Sequence, residues 1–214
     1  MPEPEELAVS EISQRAVSGV MVLTIRKFLL KAVNYLGSII LARLLLPEIF
    51  GVFAIVSFII TFFGFFSDVG LGAALIQKKD KLSPKDLAVT FTLQQILVVT
   101  VTGLIWLLAP FFAGKYQLGL QGIWLLRIFS LSLFLTSLKT IPSILLERKL
   151  QFKRLIWPEV VEVISFQVIA VTLAYMGLGV WSFIAALLVR SLLGTLVLFY
   201  LSPWPVSLAW DKAI

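Results

Sequence analysis

The 214-residue chain contains no cysteine and no histidine. That removes thiolate metal sites, haem held by His, disulfides, Cys nucleophiles and Ser-His-Asp triads, and it gives no guide to compartment. Charge is also scarce. Only 14% of residues are Asp, Glu, Lys or Arg, where a soluble domain carries about a quarter. The twelve acids fall mostly at predicted helix ends or in loops, which leaves little material for carboxylate-only metal or acid–base chemistry. There is no Gly-rich phosphate loop of the Walker or dinucleotide type, so ATP hydrolysis in this chain is not expected. Neither a cofactor nor a metal is expected, and an enzyme is the minority reading.

What the chain has is apolar side chains: 59% of residues are hydrophobic and the mean hydropathy is +1.00. A water-soluble globule of this size cannot hide so much apolar surface. The class is therefore an integral membrane protein. A spanning helix takes about 20 residues, so this length holds at most about six or seven spans. The net charge of +6 fits Lys and Arg retained in cytoplasmic loops rather than nucleic-acid binding.

Six apolar segments stand out: Val17–Leu46, Phe50–Ile76, Leu87–Ala113, Leu118–Leu146, Ile156–Met176 and Val180–Leu201. Pro47, Gly51, Pro84, Gly114, Gly119, Pro158, Gly177, Gly179, Pro203 and Pro205 punctuate them. The expected fold is an all-α polytopic membrane protein, a six-helix transmembrane bundle over residues 17–203. Residues 1–16, acidic rather than basic at their start, read as a cytoplasmic lead and not a secretory signal. Residues 204–214 read as a cytoplasmic tail.

Orientation follows from the short loops. Lys78, Lys79, Lys81 and Lys85 follow segment two, and Arg148, Lys149, Lys153 and Arg154 follow segment four; Arg43 and Lys115 are the only cations of the opposite loops. Eight against two puts the even loops and both termini in the cytoplasm. Trp106, Trp124, Trp157, Trp181 and Trp204 lie toward segment ends, as an aromatic belt requires.

The charges inside the segments carry the functional signal. On a helical wheel Thr24, Lys27, Lys31, Asn34 and Ser38 share an arc of roughly 80°, opposite Leu29, Val33, Leu36 and Ile40. A Lys facing lipid at mid-depth costs about 2.5–3.5 kcal/mol, so this stripe calls for water or partner helices. For Arg26 and Lys27 two readings stand: a cation-lined cavity, or snorkelling to the cytoplasmic headgroups. Lys31 lies too deep for easy escape. Arg190 sits near the middle of segment six, flanked by Ala186 and Gly194, and Arg127 in the outer part of segment four beside Ser130 and Ser137. Lys27, Lys31, Asn34, Arg127 and Arg190 are the candidate substrate-binding residues of a cationic cavity, which would draw a phosphate or carboxylate. Asp68 lies on a stripe of small and polar residues with Ser57, Thr61, Gly64 and Gly72. It is a candidate coupling acid, an ion-pair partner for Lys27, or a packing residue, and it lies far in depth from both arginines. Glu159 and Glu162 read as solvated or loop-paired. Gln94 and Gln95 read as hydrogen-bonding across helices.

Four motifs point to a family. They are L-A-R-L-L-L-P-E-I-F-G at Leu41–Gly51, S-D-V-G-L-G-A-A-L-I-Q-K-K-D at Ser67–Asp80, L-L-E-R-K-L-Q-F-K-R-L at Leu145–Leu155 and G-L-G-V-W-S-F at Gly177–Phe183. In this order and spacing they resemble the polysaccharide-transport (Wzx-type) flippases of lipid-linked oligosaccharides, in the superfamily that also holds multidrug MATE exporters and the lipid II flippase. The resemblance runs over about residues 15–210. It implies two facing six-helix bundles that alternate access to a central cavity. It further implies flipping of polyprenyl-diphosphate-linked oligosaccharides across the inner membrane for polysaccharide or O-antigen synthesis, driven by an ion gradient or by downstream consumption. The diphosphate would meet the cavity cations, while the polyprenyl tail stays in the bilayer. The candidate residues come from burial reasoning, because the substrate residues of that family vary. One bundle is present here, so the expected partner is a second bundle, either a missing C-terminal half or a second copy. The rivals are a MATE-like exporter, whose cavity should be acidic, a membrane enzyme with a long outer loop, and a non-transporting assembly partner. Single cysteines placed at Lys31, Arg127 and Arg190 are expected to react with a water-soluble thiol reagent; inertness at all three contradicts a wet cavity.

Overall fold

The computed structural model describes residue 24 and residues 26–67, 70–78, 82–149 and 151–206. The lead 1–16, Asp68 and the tail from 207 onward lie outside the described residues. All regular structure among the described residues is helical. Helix α1 covers 26–44. It is followed by α2 (Pro47–Ser67), α3 (Leu71–Gln77), α4 (Pro84–Lys115), α5 (Gly119–Leu138), α6 (Thr140–Arg148), α7 (Phe152–Tyr175) and α8 (Val180–Leu201). The six apolar segments map onto α1, α2 with α3, α4, α5 with α6, α7 and α8.

Five of these are long and apolar enough to cross a membrane: Pro47–Ser67, Pro84–Lys115, Gly119–Arg148, Lys153–Tyr175 and Val180–Leu201. Only 17–33% of each is buried within the chain. Phe58, Phe65, Leu107, Leu120 and Tyr200 are among the exposed large apolar residues, so the fold requires an apolar solvent around it. The protein is an all-α polytopic membrane protein. The described part of α1 carries Arg26, Lys27, Lys31 and Arg43, which is why it falls short of a span by composition.

Local chemistry sets the helix ends. Ser83 caps α4: its Oγ accepts from the Asp86 N–H at 3.1 Å, and Asp86 Oδ2 accepts from the Ser83 N–H at 3.0 Å. This reciprocal box satisfies two orphan donors where the chain enters α4. Gly70, with φ 77°, precedes α3, a conformation that costs glycine nothing. Segment four is interrupted once, at Lys139 between α5 and α6. Pro142 lies three residues on, and a proline has no N–H for the carbonyl four residues back, here Leu138. The Lys139 N–H turns instead to the Thr136 carbonyl at 3.0 Å.

The main core joins all six segments. Leu41, Val56, Ile60, Ile105, Leu125, Leu126, Ala170 and Phe183 are buried in it. Phe53 stacks on Phe183 with ring centroids 4.1 Å apart and lies 6.2 Å from Phe129, an arrangement that adds to simple area burial. A smaller cluster gathers Leu75, Leu87, Phe91, Ile141 and Ile144, with Leu82 and Trp204 against it. Gly64 faces Leu133, and Gly72 faces Ile144; the small residues of segment two let α2 and α3 lie close on α5 and α6.

Candidate functional site

Polar side chains gather around the α5–α6 joint. Gln94 Nε2 donates to Thr140 Oγ1 at 2.9 Å, and Gln95 Nε2 donates to Ser137 Oγ at 3.0 Å. These are the cross-helix hydrogen bonds expected of the two glutamines. From α8, the Thr195 hydroxyl donates to the Leu135 carbonyl at 3.2 Å. From α7, Glu162 takes the ammonium of Lys139 on one carboxylate oxygen, while its other oxygen lies 3.5 Å from Arg190 Nε. Lys139 and Glu162 are only 14% and 13% exposed. Arg190 also lies 5.9 Å from the centre of the Phe166 ring.

Depth explains why these charges meet. Glu162 is ten residues into α7 and Arg190 ten residues into α8, each about 15 Å from its helix start. The two helices run antiparallel as consecutive spans, so both positions fall near mid-membrane. Lys139 reaches a similar level because α6 carries the chain nine further residues before the loop. A charge at this depth is expensive unless paired. The expectation that Glu162 is solvated or loop-paired is therefore corrected: it is buried against cations of other helices, while Glu159 stays 44% exposed and pairs with Arg26 of α1. Segment five read as starting at Ile156 puts Glu162 in its second turn, whereas α7 begins at Phe152 and carries it a full turn deeper.

Beside this network lies a cavity of about 460 Å³. Its walls come from α2 (Ile60, Thr61, Gly64, Phe65), α5 (Phe129, Ser132, Leu133, Thr136), α7 (Glu162) and α8 (Leu187, Arg190, Ser191). Arg190, 40% exposed as a side chain, is its cation. Gly194 is the reason Glu162 fits: a Cβ there would overlap the carboxylate.

The remaining candidates stand elsewhere. Lys27, Lys31 and Asn34 are exposed on α1 and are not part of the cavity wall. Asn34 Oδ1 accepts a hydrogen bond from Gln167 Nε2 of α7 at 2.9 Å, and Arg26 pairs with Glu159 of α7 at 2.7 Å, so the polar side of α1 is tied to α7 at two levels. Arg127 has its guanidinium 5.7 Å from the Trp106 ring and 5.9 Å from the Trp124 ring. Trp106 Nε1 donates to Ser130 Oγ at 3.0 Å, a packing role nine residues inside the end of α4. Such cation–aromatic contacts contribute about 0.5–2 kcal/mol. Asp68 is outside the described residues.

Comparison with known proteins then gives the family. Residues 40–214 match the family described as polysaccharide biosynthesis protein. The chain belongs to that family. Over 155 residues it is 32% identical to the succinoglycan biosynthesis transport protein ExoT of Rhizobium meliloti (strain 1021), a match covering 72% of this chain and 31% of that protein. The chain thus spans under a third of that relative's length. No solved structure matches it. Membership of this polysaccharide family agrees with the resemblance read from the four motifs, and the named relative is a transport protein.

Of the charged residues at the cavity wall the sequence singles out Arg190; its partner Glu162, and the Lys139 that Glu162 also holds, do not stand out. The available signal was spacing: Lys139 sits three residues before Pro142 within an apolar run, which marks a joint where a charge can leave the helix. Replacing Gly194 by Val is expected to push Glu162 off its cations and cost about 3–5 kcal/mol, read as a lowered thermal midpoint in detergent. Gly103→Ala, where a Cβ meets open space, should leave the midpoint unchanged or slightly raised. Equal midpoints for the two variants contradict the network's role in holding the bundle.

Proposed function

We propose that this bundle is one wall of a transporter that flips polyprenyl-diphosphate-linked oligosaccharides across the cell membrane during polysaccharide assembly. The observation that carries the reading is Arg190. It lines a largely apolar cavity, with hydroxyls on its wall, between spanning helices in a member of a polysaccharide biosynthesis family. A guanidinium offers a fork of donors suited to phosphate oxygens. Around it Thr61, Ser132, Thr136 and Ser191 supply hydroxyls of the kind that bind sugar and phosphate. One edge of Arg190 rests on Glu162, which holds the side chain at the wall when no anion is present.

A second bundle facing this one completes the enclosure, and rocking of one against the other alternates access. Lys27 and Lys31, exposed on α1, extend the cationic surface toward that partner. The loops bearing Lys78 and Arg148–Arg154 face the cytoplasm, as their charge excess directs. No covalent step belongs to this reading. A MATE-like exporter of cations is disfavoured because the cavity's exposed charge is an arginine.

In cells that lack the full-length gene, lipid-linked repeat units are expected to accumulate on the cytoplasmic leaflet. A copy carrying Arg190→Gln should restore surface polysaccharide about tenfold less well than the wild type, the loss of one charge-assisted contact, and Arg190→Lys should do better than Gln. Full restoration by Arg190→Gln at equal protein level overturns the role of Arg190. Loss of surface polysaccharide without accumulation of repeat units on the cytoplasmic leaflet assigns the protein to assembly rather than transport.

A further inference from the structure

A second cavity, of about 560 Å³, lies between the start of α7 and the end of α8, and the reading above makes no use of it. Trp157 and Val161 of α7 and Leu196, Val197, Tyr200 and Leu201 of α8 form its walls. It opens outward: Trp157 is 60% and Tyr200 87% exposed. Its lining is aliphatic and aromatic, with an indole N–H and a phenol as its polar side-chain groups.

The α7 side of this groove has a definite order. Residues 153, 157 and 161 recur every four positions and so share one helix face. Reading inward from the loop, that face carries Lys153, then Trp157, then Val161. Arg154 lies three residues before Trp157, on the adjoining part of the same face. Lys153 and Arg154 are both exposed, as is Lys149 in the preceding turn. The sequence of chemistry is cation, aromatic, aliphatic, which is the sequence of a lipid's phosphate, glycerol and acyl chain. Tyr200 is the penultimate residue of α8 and supplies a second aromatic beside Trp157 in the groove wall. Indole and phenol rings favour that boundary between headgroup and hydrocarbon. Helix α1 engages α7 through Glu159 and Gln167, which are not among the groove's lining residues.

We propose that this groove is a binding site for one anionic glycerophospholipid. An acyl chain lies along Val161, Leu196 and Val197, and the phosphate rests on Lys153 and Arg154. An apolar groove alone accepts any hydrocarbon chain. The paired cations at its mouth select an anionic head, because a basic residue at a membrane surface attracts anionic lipid and the attraction falls off within a Debye length. The site is independent of the Arg190 cavity: it shares none of its lining residues.

The test uses the full chain in nanodiscs of phosphatidylcholine containing a small fraction of phosphatidylglycerol. Bound lipid is counted by native mass spectrometry after release. One phosphatidylglycerol per chain is expected to remain. The Lys153→Gln/Arg154→Gln double variant, altered only at exposed positions, should weaken retention about twenty-five-fold, roughly fivefold for each charge lost. A phosphatidylglycerol bearing a photoreactive group in its acyl chain should label the α7 and α8 segments around Val161 and Val197 in the unaltered protein. Leu196→Trp, which fills the groove and keeps the charges, should abolish that labelling. Retention unchanged in the double variant, phosphatidylcholine retained as well as phosphatidylglycerol, or labelling spread evenly over all lipid-facing helices each overturns the proposal. Weaker retention in the double variant with labelling of α7 and α8 intact in Leu196→Trp reduces the effect to surface attraction and overturns the groove.

Discussion

A helix that breaks inside a bilayer must find partners for its freed polar groups within the protein, because hydrocarbon offers none. Around the joint at Lys139 the side chains of Ser137, Lys139 and Thr140 and the Leu135 carbonyl find such partners on three neighbouring helices. Helix α4 contributes Gln94 and Gln95, α7 contributes Glu162, and α8 contributes Thr195, which binds the Leu135 carbonyl. These contacts fix the register of α4, α7 and α8 against α5 and α6 in a way that apolar packing alone does not. Side chains such as Leu and Ile slide with little change in contact energy, while a hydrogen bond or ion pair has one geometry. The polar layer lies between two apolar clusters, a large one around Phe53 and Phe183 and a small one around Phe91 and Ile144.

The same layer explains the cavity. Glu162 faces two cations with one carboxylate, so one cation-bearing edge is left to face open space, and that edge is Arg190 at the cavity wall. Small residues make this possible. Gly194 leaves room for Glu162, and Gly64 brings α2 close enough to α5 to close the far wall. Membrane helices commonly use small residues to approach one another; here the same device also admits a buried carboxylate.

Much of the fold was legible in the sequence because its cause is local. Apolar runs of spanning length, Gly and Pro at their ends and the excess of Lys and Arg in alternate loops follow from the bilayer itself. The limits that fall among the described residues agree with the helix ends to within a few residues; Val180–Leu201 is the observed α8. Segment two breaks ahead of α3, where Gly70 takes a left-handed φ that costs glycine little. The ion network was not legible, because it depends on depth. Extending α7 back to Phe152 moves Glu162 by one turn, enough to turn a solvated acid into the partner of Lys139 and Arg190. Arg127 shows the opposite case. Its charge was visible, but its two indole neighbours are brought together by the α4–α5 packing, which no spacing along the chain displays. On α1, Asn34 and Arg26 engage α7, while Lys27 and Lys31 are exposed.

The tie between Glu162 and Lys139 is the contact on which the joint, the cavity wall and the orientation of Arg190 all rest. A double-mutant cycle measures it directly, with Glu162→Gln, Lys139→Met and their combination unfolded reversibly in bicelles. A real tie predicts a coupling free energy above about 1 kcal/mol, with the combined variant more stable than the sum of the single losses allows. Losses that add to within about 0.5 kcal/mol would show that the two charges do not hold the bundle together.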